Sequence, residues 1–365
     1  MRVIHILNSI EYSGAEIMLY QAADTFTKHH IETTLLACYP NHGQFEQPMR
    51  DAGYQIDHIG DVRPLTLLSN FYQYFKSNRF DVVHIHNETY YVWKVMLLRL
   101  TGHNNIVRTF HNNWEFTGWL RIKRTLHRKI ATWLGVKNHA IGTAVQVNEE
   151  KTFLNKSIII NNWIKPNAGL LTNKEEINQL KRRELGIDPD AFVLISVGGC
   201  SYIKNHAFIF NLLQPLITRG LKLCYVHAGT GNDEADEKVL AQKLGVDSQV
   251  IFTGNRKDIP ELLLMADIYL MPSLFEGLSI ALLEAMYYNG LVLVSDAPGL
   301  SNVIVDQQTG YVIDTAEPLN YINFIADVAN NKIDSTKIKL AARAFVEDNF
   351  VVEKNAGKLI EFYKQ

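Results

Sequence analysis

A protein of two α/β domains, each a parallel sheet covered by helices on both faces, is what this sequence predicts. Three observations carry the expectation. The chain has 365 residues, more than one hydrophobic core usually organises. Strand-like and helix-like segments alternate along it. The strand-like runs are continuously apolar, as strands buried on both faces require.

The elements follow in order. RVIHIL (2–7) and DVVHIH (81–86) are short β-rich runs, and Ala15 to Phe26 has helical spacing between them. NNWIKPNAGLLTNK (161–174), rich in Asn, Pro and Gly, reads as the link between the halves. Beyond residue 190 come AFVLISVG, LKLCYVHAG, QVIFTG, DIYLMPS, LVLVSD and GYVID, each followed by a helical or turn-like segment. A helical pattern from Val352 to Tyr363 follows. In sheets of this kind ligands bind beyond the carboxyl ends of the strands, so the loops after strands are where function is sought.

Composition narrows the class. Hydrophobic residues make up 47 % and charged residues 20 %, an ordinary globular balance. The net charge of -2 gives no global pull toward nucleic acid. Residues 1–165 carry 18 Lys and Arg against 13 Asp and Glu, about +5, and residues 166–365 carry 18 against 25, about -7. An anionic partner is therefore expected at the first half. Cys38, Cys200 and Cys224 are too few and too scattered for a disulfide frame or a zinc site. The opening MRVIHIL reads as a strand and not as a signal peptide, and no apolar run approaches the ~20 residues that span a bilayer. A cytoplasmic protein is expected, touching the inner face of the membrane at most.

The most informative stretch is FEGLSIALLEA (275–285). Strand Asp267–Ser273 ends before it, which puts Glu276 in a strand-to-helix loop. Gly277 gives a permissive backbone, Ser279 suits an N-cap, Ile280 to Tyr288 the helix, and Asn289-Gly290 its stop. The free N–H groups of that helix N-terminus suit a phosphate or a sugar hydroxyl. Eight residues of helix rise ~12 Å, whereas paired glycosidase carboxylates sit roughly 5–9.5 Å apart. Glu276 and Glu284 therefore fit two hydroxyl pairs on one extended ligand better than one scissile bond. Spacing alone leaves open that both are solvated charges.

MPSLFEGLSIALLEAM followed by LVLVSDAPGLSNVIVDQQTGYVI resembles the C-terminal signature of the family 4 retaining glycosyltransferases. The resemblance extends to NSIEYSGAE, DVVHIHN and FTGNRKDIPELLLMADIYLMPS, nearly the whole chain. It implies the GT-B fold, two doubly wound Rossmann-like domains facing each other across a cleft. Residues 1–165 would bind acceptor, residues 166–349 would bind nucleotide sugar, and a last helix at about 350–365 would pack back on the first. It further implies that Glu284 holds the donor ribose, while Glu276, with the Gly277, Leu278 and Ser279 amides, holds the sugar.

The same resemblance assigns the other site residues. In VGGCSYIKNH (197–206), Lys204 matches the family's diphosphate lysine, and Asn205-His206 the frequent Asn-His ending. The family's arginine position is Gly199, a loss that Arg256 in TGNRKD, expected at the donor, a helix N-terminus or a mobile loop would have to compensate. In SGAE (13–16), Gly14 and Ala15 bring backbone N–H groups toward a phosphate; the Gly-x-Gly-x-x-Gly of a dinucleotide site is lacking. His111, in a His-Asn pair after a strand, is placed near the transferred sugar. His111, Lys204 and Glu276 are thus the expected catalytic groups. His84 and His86 share a strand face with His111 in reach, yet no fourth ligand has suitable spacing, and no metal or cofactor is expected. NDEADE (232–237) reads as the acidic first turn of a helix.

Residues 117–139 hold basic residues and no acid. Trp119, Ile122, Leu126, Ile130 and Trp133 follow helical spacing, and Arg121, Arg124 and Arg128 line another face. A basic amphipathic helix with tryptophans suits an anionic membrane or an acceptor surface; a core-packed helix with a solvated basic face fits equally. The reading is a metal-independent retaining glycosyltransferase (EC 2.4). Its expected donor is a UDP-sugar, by frequency within the family. Its expected acceptor is a saccharide or lipid-linked saccharide of bacterial surface polysaccharide synthesis. A GT-B UDP-sugar epimerase and a catalytically weak nucleotide-sugar-binding subunit are the alternatives.

Overall fold

The computed structural model describes residues 1–113 and 116–365. They form two compact units, Met1–Lys165 with Val352–Gln365, and Pro166–Val351. Each is built on one parallel sheet.

The first sheet contains β1 (Arg2–Leu7), β2 (Glu32–Ala37), β3 (Gln55–His58), β4 (Val82–Ile85), β5 (Ile106–Phe110), β6 (Lys137–Ala140) and β7 (Ile158–Ile159). Their order across it is β3-β2-β1-β4-β5-β6-β7. One face buries Ile4, Ile6, Val83 and Ile85 against Leu67, Phe71 and Phe75 of the helix Pro64–Ser77. The other face is unusually polar. His5 and His84 are paired in register there, fully buried, with His139. Helix Val352–Lys364 packs on helix Gly14–Lys28 in this unit, and Tyr363 Oη meets His84 Nδ1 at 2.6 Å.

The second sheet contains β8 (Phe192–Val197), β9 (Leu223–Ala228), β10 (Val250–Phe252), β11 (Ile268–Met271), β12 (Val292–Val294) and β13 (Tyr311–Val312), ordered β10-β9-β8-β11-β12-β13. Leu194, Tyr225, Ile268 and Leu293 share a core with Ile209, Leu213, Leu216, Tyr321 and Ile325 from two flanking helices. The continuous apolar runs of the sequence thus become strands covered on both faces. In each sheet the chain direction across the sheet reverses once, between β1 and β4 and between β8 and β11. Loops following these strands diverge and leave a crevice. Among the described residues, no helix is long and apolar enough to cross a membrane.

Candidate active site

The loops after β8 and β11 flank the crevice of the second sheet, and they are bonded to each other. Residues Tyr202–Lys204 form a single 3-10 turn. Asn205 then takes the left-handed conformation (φ 55°), which Asn tolerates better than most residues, and leads into helix His206–Thr218. Its Nδ2 donates to the Pro272 carbonyl (3.2 Å), Leu274 N donates to the Ile203 carbonyl (2.8 Å), and Lys204 Nζ donates to Glu276 Oε1 at 2.7 Å. Gly198, at φ 150°, lets the Lys204 stem pass: a Cβ there would lie 3.3 Å from Lys204 Cε.

Glu276 is also fixed from below. Its N–H donates to the Pro298 carbonyl (3.1 Å), and Gly299 lies so close that a Cβ would fall 2.1 Å from the Glu276 carbonyl oxygen. The APGL loop after β12 is therefore a buttress of the motif. The sequence signal for this contact is the Pro298-Gly299 pair.

Gly277, Leu278 and Ser279 are buried, and Ser279 Oγ accepts from Leu282 N at 3.3 Å, so the serine caps the helix as expected. The helix Ile280–Tyr288 is buried on nearly all sides. Only Ala281 and Glu284 within it keep partial exposure. Glu284 is the one charged residue of this helix, and it stands at one of its two partly open positions.

Arg256 is not presented as a free compensating cation for Gly199. Its guanidinium is held by both Asp258 oxygens (2.7 and 2.6 Å) and by Glu184 Oε1 (2.5 Å), with Lys181 on the same Asp258. Its hydrogen bonds to the Asp258 and Glu184 carboxylates raise its pKa further. The arginine serves to close this surface network, and Lys204 remains the motif cation on the crevice loop.

In the first unit, Gly14 begins helix Gly14–Lys28 with open space around its α-carbon. No side chain caps that helix, because the Ser13 hydroxyl is turned to the Glu16 carboxyl. Ser13 therefore does not cap the first-turn N–H groups of Gly14, Ala15 and Glu16. Glu16 is buried, which pushes its pKa up to about 7 despite the Ser13 hydrogen bond. His111 follows β5, and its Nε2 lies 2.9 Å from His86 Nδ1; His86 Nε2 lies 3.0 Å from His5 Nδ1. Burial, then the Arg108 charge, lowers the His111 pKa to about 4, so the imidazole is neutral at pH 7. No motif or spacing marks His5 as a member of this chain.

Helix Gly118–Trp133 corrects one expectation outright. Arg128, expected on a basic outer face, is 1 % exposed. It makes two bonds to Glu149 (2.7 and 2.8 Å) and a third to Glu88 (3.1 Å), beneath the Phe153 ring. Arg124 also pairs with Glu88 (3.2 Å), as does buried Arg108. Burial alone would raise the Glu88 pKa, but the three arginines outweigh it and the pKa is lowered. Arg124 and Arg128 therefore turn inward because Glu88 and Glu149 await them, while Arg121 stays exposed. The apolar stripe turns outward instead: Trp119, Leu120, Ile122, Leu126 and Trp133 are exposed beside Arg121, Lys123 and Lys129. Glu237, within the expected acidic first turn, is likewise drawn inward, its Oε1 lying 2.9 Å from His206 Nδ1.

Two parallel-sheet units with motif loops at both switch points define a GT-B glycosyltransferase. Comparison with known proteins agrees. Residues 12–145 match the family described as Glycosyltransferase Family 4, and residues 177–345 match Glycosyl transferases group 1. The chain belongs to this glycosyltransferase family and is a transferase of class EC 2.4. EpsF of Bacillus subtilis, whose name places it among the glycosyltransferases, is 26 % identical over 99 % of this chain and 96 % of its own. The UDP-Gal:alpha-D-GlcNAc-diphosphoundecaprenol alpha-1,3-galactosyltransferase of Escherichia coli is 25 % identical over 84 % of this chain and 80 % of its own. Among solved structures, Anabaena Alr3699/HepE in complex with UDP and glucose superposes over the full length of both chains with a TM-score of 0.83 at 17 % identity, a likeness of fold.

Proposed function

We propose that this glycosyltransferase moves a sugar from a UDP-sugar to a saccharide acceptor of polysaccharide synthesis, with retention at the anomeric carbon and without a metal at the diphosphate. The observation that carries the donor site is the Lys204–Glu276 pair beside a buried helix whose one charged, partly open residue is Glu284. Glu284 takes the ribose hydroxyls, Lys204 the diphosphate, and Glu276 with the amides of Gly277, Leu278 and Ser279 the sugar. In the transfer, the bond from the anomeric carbon to the phosphate oxygen breaks, and a bond to the acceptor oxygen forms on the same face. The acceptor proton passes to the departing diphosphate. Lys204 and the N-terminus of helix Ile280–Tyr288 stabilise the charge that develops there. Neutral His111 hydrogen-bonds a sugar hydroxyl. UDP is supported by the ligand of the HepE complex and the donor in the name of the E. coli relative.

Calorimetric titration of UDP and GDP in buffer without magnesium or manganese tests this reading. UDP should bind, and Glu284→Ala should weaken it at least about tenfold, or 1.4 kcal/mol. Binding of neither nucleotide, or an unchanged Glu284→Ala, sinks the donor site. Added magnesium that tightens UDP sharply would sink its metal independence.

The acceptor is proposed to be lipid-linked, reached at an anionic membrane surface. The support is the outward face of helix Gly118–Trp133, where exposed Trp119, Ile122, Leu126 and Trp133 stand beside Arg121, Lys123 and Lys129. Trp119→Ala with Trp133→Ala should abolish co-sedimentation with phosphatidylglycerol vesicles and leave the melting temperature in place. Full co-sedimentation would refute the membrane role. Arg128 must be spared in such a test, since it holds the fold.

A further inference from the structure

Directly behind the Lys204 loop, four buried side chains from four different segments converge: Cys200 after β8, His206 at the start of its helix, His227 on β9 and Glu237 on helix Glu234–Lys243. Each offers one ligand atom, and these atoms all lie within 4.8 Å of one another. Cys200 Sγ is 3.2 Å from His227 Nε2, and His206 Nδ1 is 2.9 Å from Glu237 Oε1. Tetrahedral zinc, with bonds of about 2.0–2.3 Å, needs ligand atoms roughly 3.3–3.6 Å apart, so the two short pairs would open by a few tenths of an ångström and the wider separations, within 4.8 Å, would close around the ion.

Three further features point to a cation. Glu237 Oε2 is buried and meets no donor at hydrogen-bonding geometry. The other ring nitrogen of His227, Nδ1, sits 2.9 Å from Ser196 Oγ, itself 2.5 Å from Tyr225 Oη, the kind of outer support that orients an imidazole ligand. One thiolate and one carboxylate would cancel the charge of a divalent ion in a buried setting, and two neutral imidazoles complete the set.

We propose that Cys200, His206, His227 and Glu237 form a structural zinc site. The cysteine count argued against zinc, but a mixed ligand set needs only one thiolate. Cys200 and His206 bracket residues 201–205, so the ion would clamp both ends of the loop that presents Lys204. It touches no reacting group and is separate from the metal independence of transfer. Its bearing on donor affinity rests on the proposed donor site; its existence does not.

The test uses full-length, tag-free protein under reducing conditions. Elemental analysis should find zinc near one equivalent per chain, and zinc added after chelator treatment should rebind with a Kd below about 1 μM. Cobalt exchanged into the site should give a thiolate-to-cobalt charge-transfer band that Cys200→Ser lacks. Cys200→Ser and His227→Gln should each lose the zinc, while Glu284→Ala retains it. Chelation should lower the melting temperature and weaken UDP binding several-fold; loss of zinc without change in UDP affinity would overturn the clamp on the loop. No saturable zinc binding by the wild type would overturn the site and leave a self-bonded polar cluster. Zinc retained by both ligand variants would also overturn it, placing the ion on His5, His84 and His86 or on His42, Glu46 and His58.

Discussion

Lys204 Nζ and Glu276 Oε1 are 2.7 Å apart, which joins the loop after β8 to the loop after β11 across the switch point of the second sheet. The two groups assigned to diphosphate and to sugar are therefore held as one device. Removing either partner releases the other.

Lys204→Ala should lower kcat/KM by about 10²–10³, the usual cost of one group that stabilises developing charge. The loss should fall mainly on kcat, measured as UDP release at saturating donor. Lys204→Arg should not restore it, because a planar fork replaces a compact ammonium. A loss under about tenfold, or one confined to KM, would remove Lys204 from the leaving-group role.

Arg128→Ala should destabilise the first unit by about 3–5 kcal/mol, since it strands the buried Glu149 carboxylate. Arg121→Ala, on the exposed side, should stay within about 0.5 kcal/mol of wild type. Urea denaturation of both variants checks the contrast.

This pair also marks where the sequence was readable. Helix Ile280–Tyr288, its Ser279 cap and its Asn289-Gly290 stop were legible because local chemistry decides them: a side-chain oxygen for Leu282 N, and a Gly290 that takes φ 76°. RVIHIL became β1 and DVVHIH contributed β4, because runs buried on both faces need no knowledge of a partner. Helix Gly118–Trp133 was legible as amphipathic, but which face meets the body depends on Glu88 and Glu149. Those carboxylates lie 40 and 21 residues from Arg128, and no periodicity within the helix reports them. The network around Arg256 was legible only in part: Asp258 is two residues away, but Glu184 lies 72 residues away.

Glu16 should make stability fall as pH rises. Burial raises its folded pKa from 4.5 to about 7, so the folded state holds a proton that the unfolded state has already released. Stability should therefore drop between pH 4.5 and 7 and level off above, by up to about 3 kcal/mol. Glu16→Gln should match wild type near pH 4.5 and exceed it at pH 8. Parallel pH profiles of the two would exclude this carboxyl as the cause.

The buried imidazoles should act in the opposite direction. Burial lowers His5 and His139 to about 3 and His111 to about 4, and lowers His84 and His86 well below 6.5. The unfolded chain then binds protons that the folded chain refuses, so stability should fall steeply as pH drops from 6.5 toward 4. Proton uptake on unfolding at pH 5, measured in weakly buffered solution, should amount to several protons. Donor turnover should show no break near pH 6.5 from His111.

The return of helix Val352–Lys364 to the first unit has a bearing on synthesis. Residues 1–165 leave the ribosome long before the segment that covers His84 with Tyr363 exists. The second unit, one continuous stretch, can close while the first still waits with its histidine face uncovered. Vectorial order and folding order therefore run opposite to each other, and the first half of the chain must stay soluble as an incomplete sheet throughout translation of the second. A circular permutant that places residues 352–365 ahead of Met1 would let the two orders coincide.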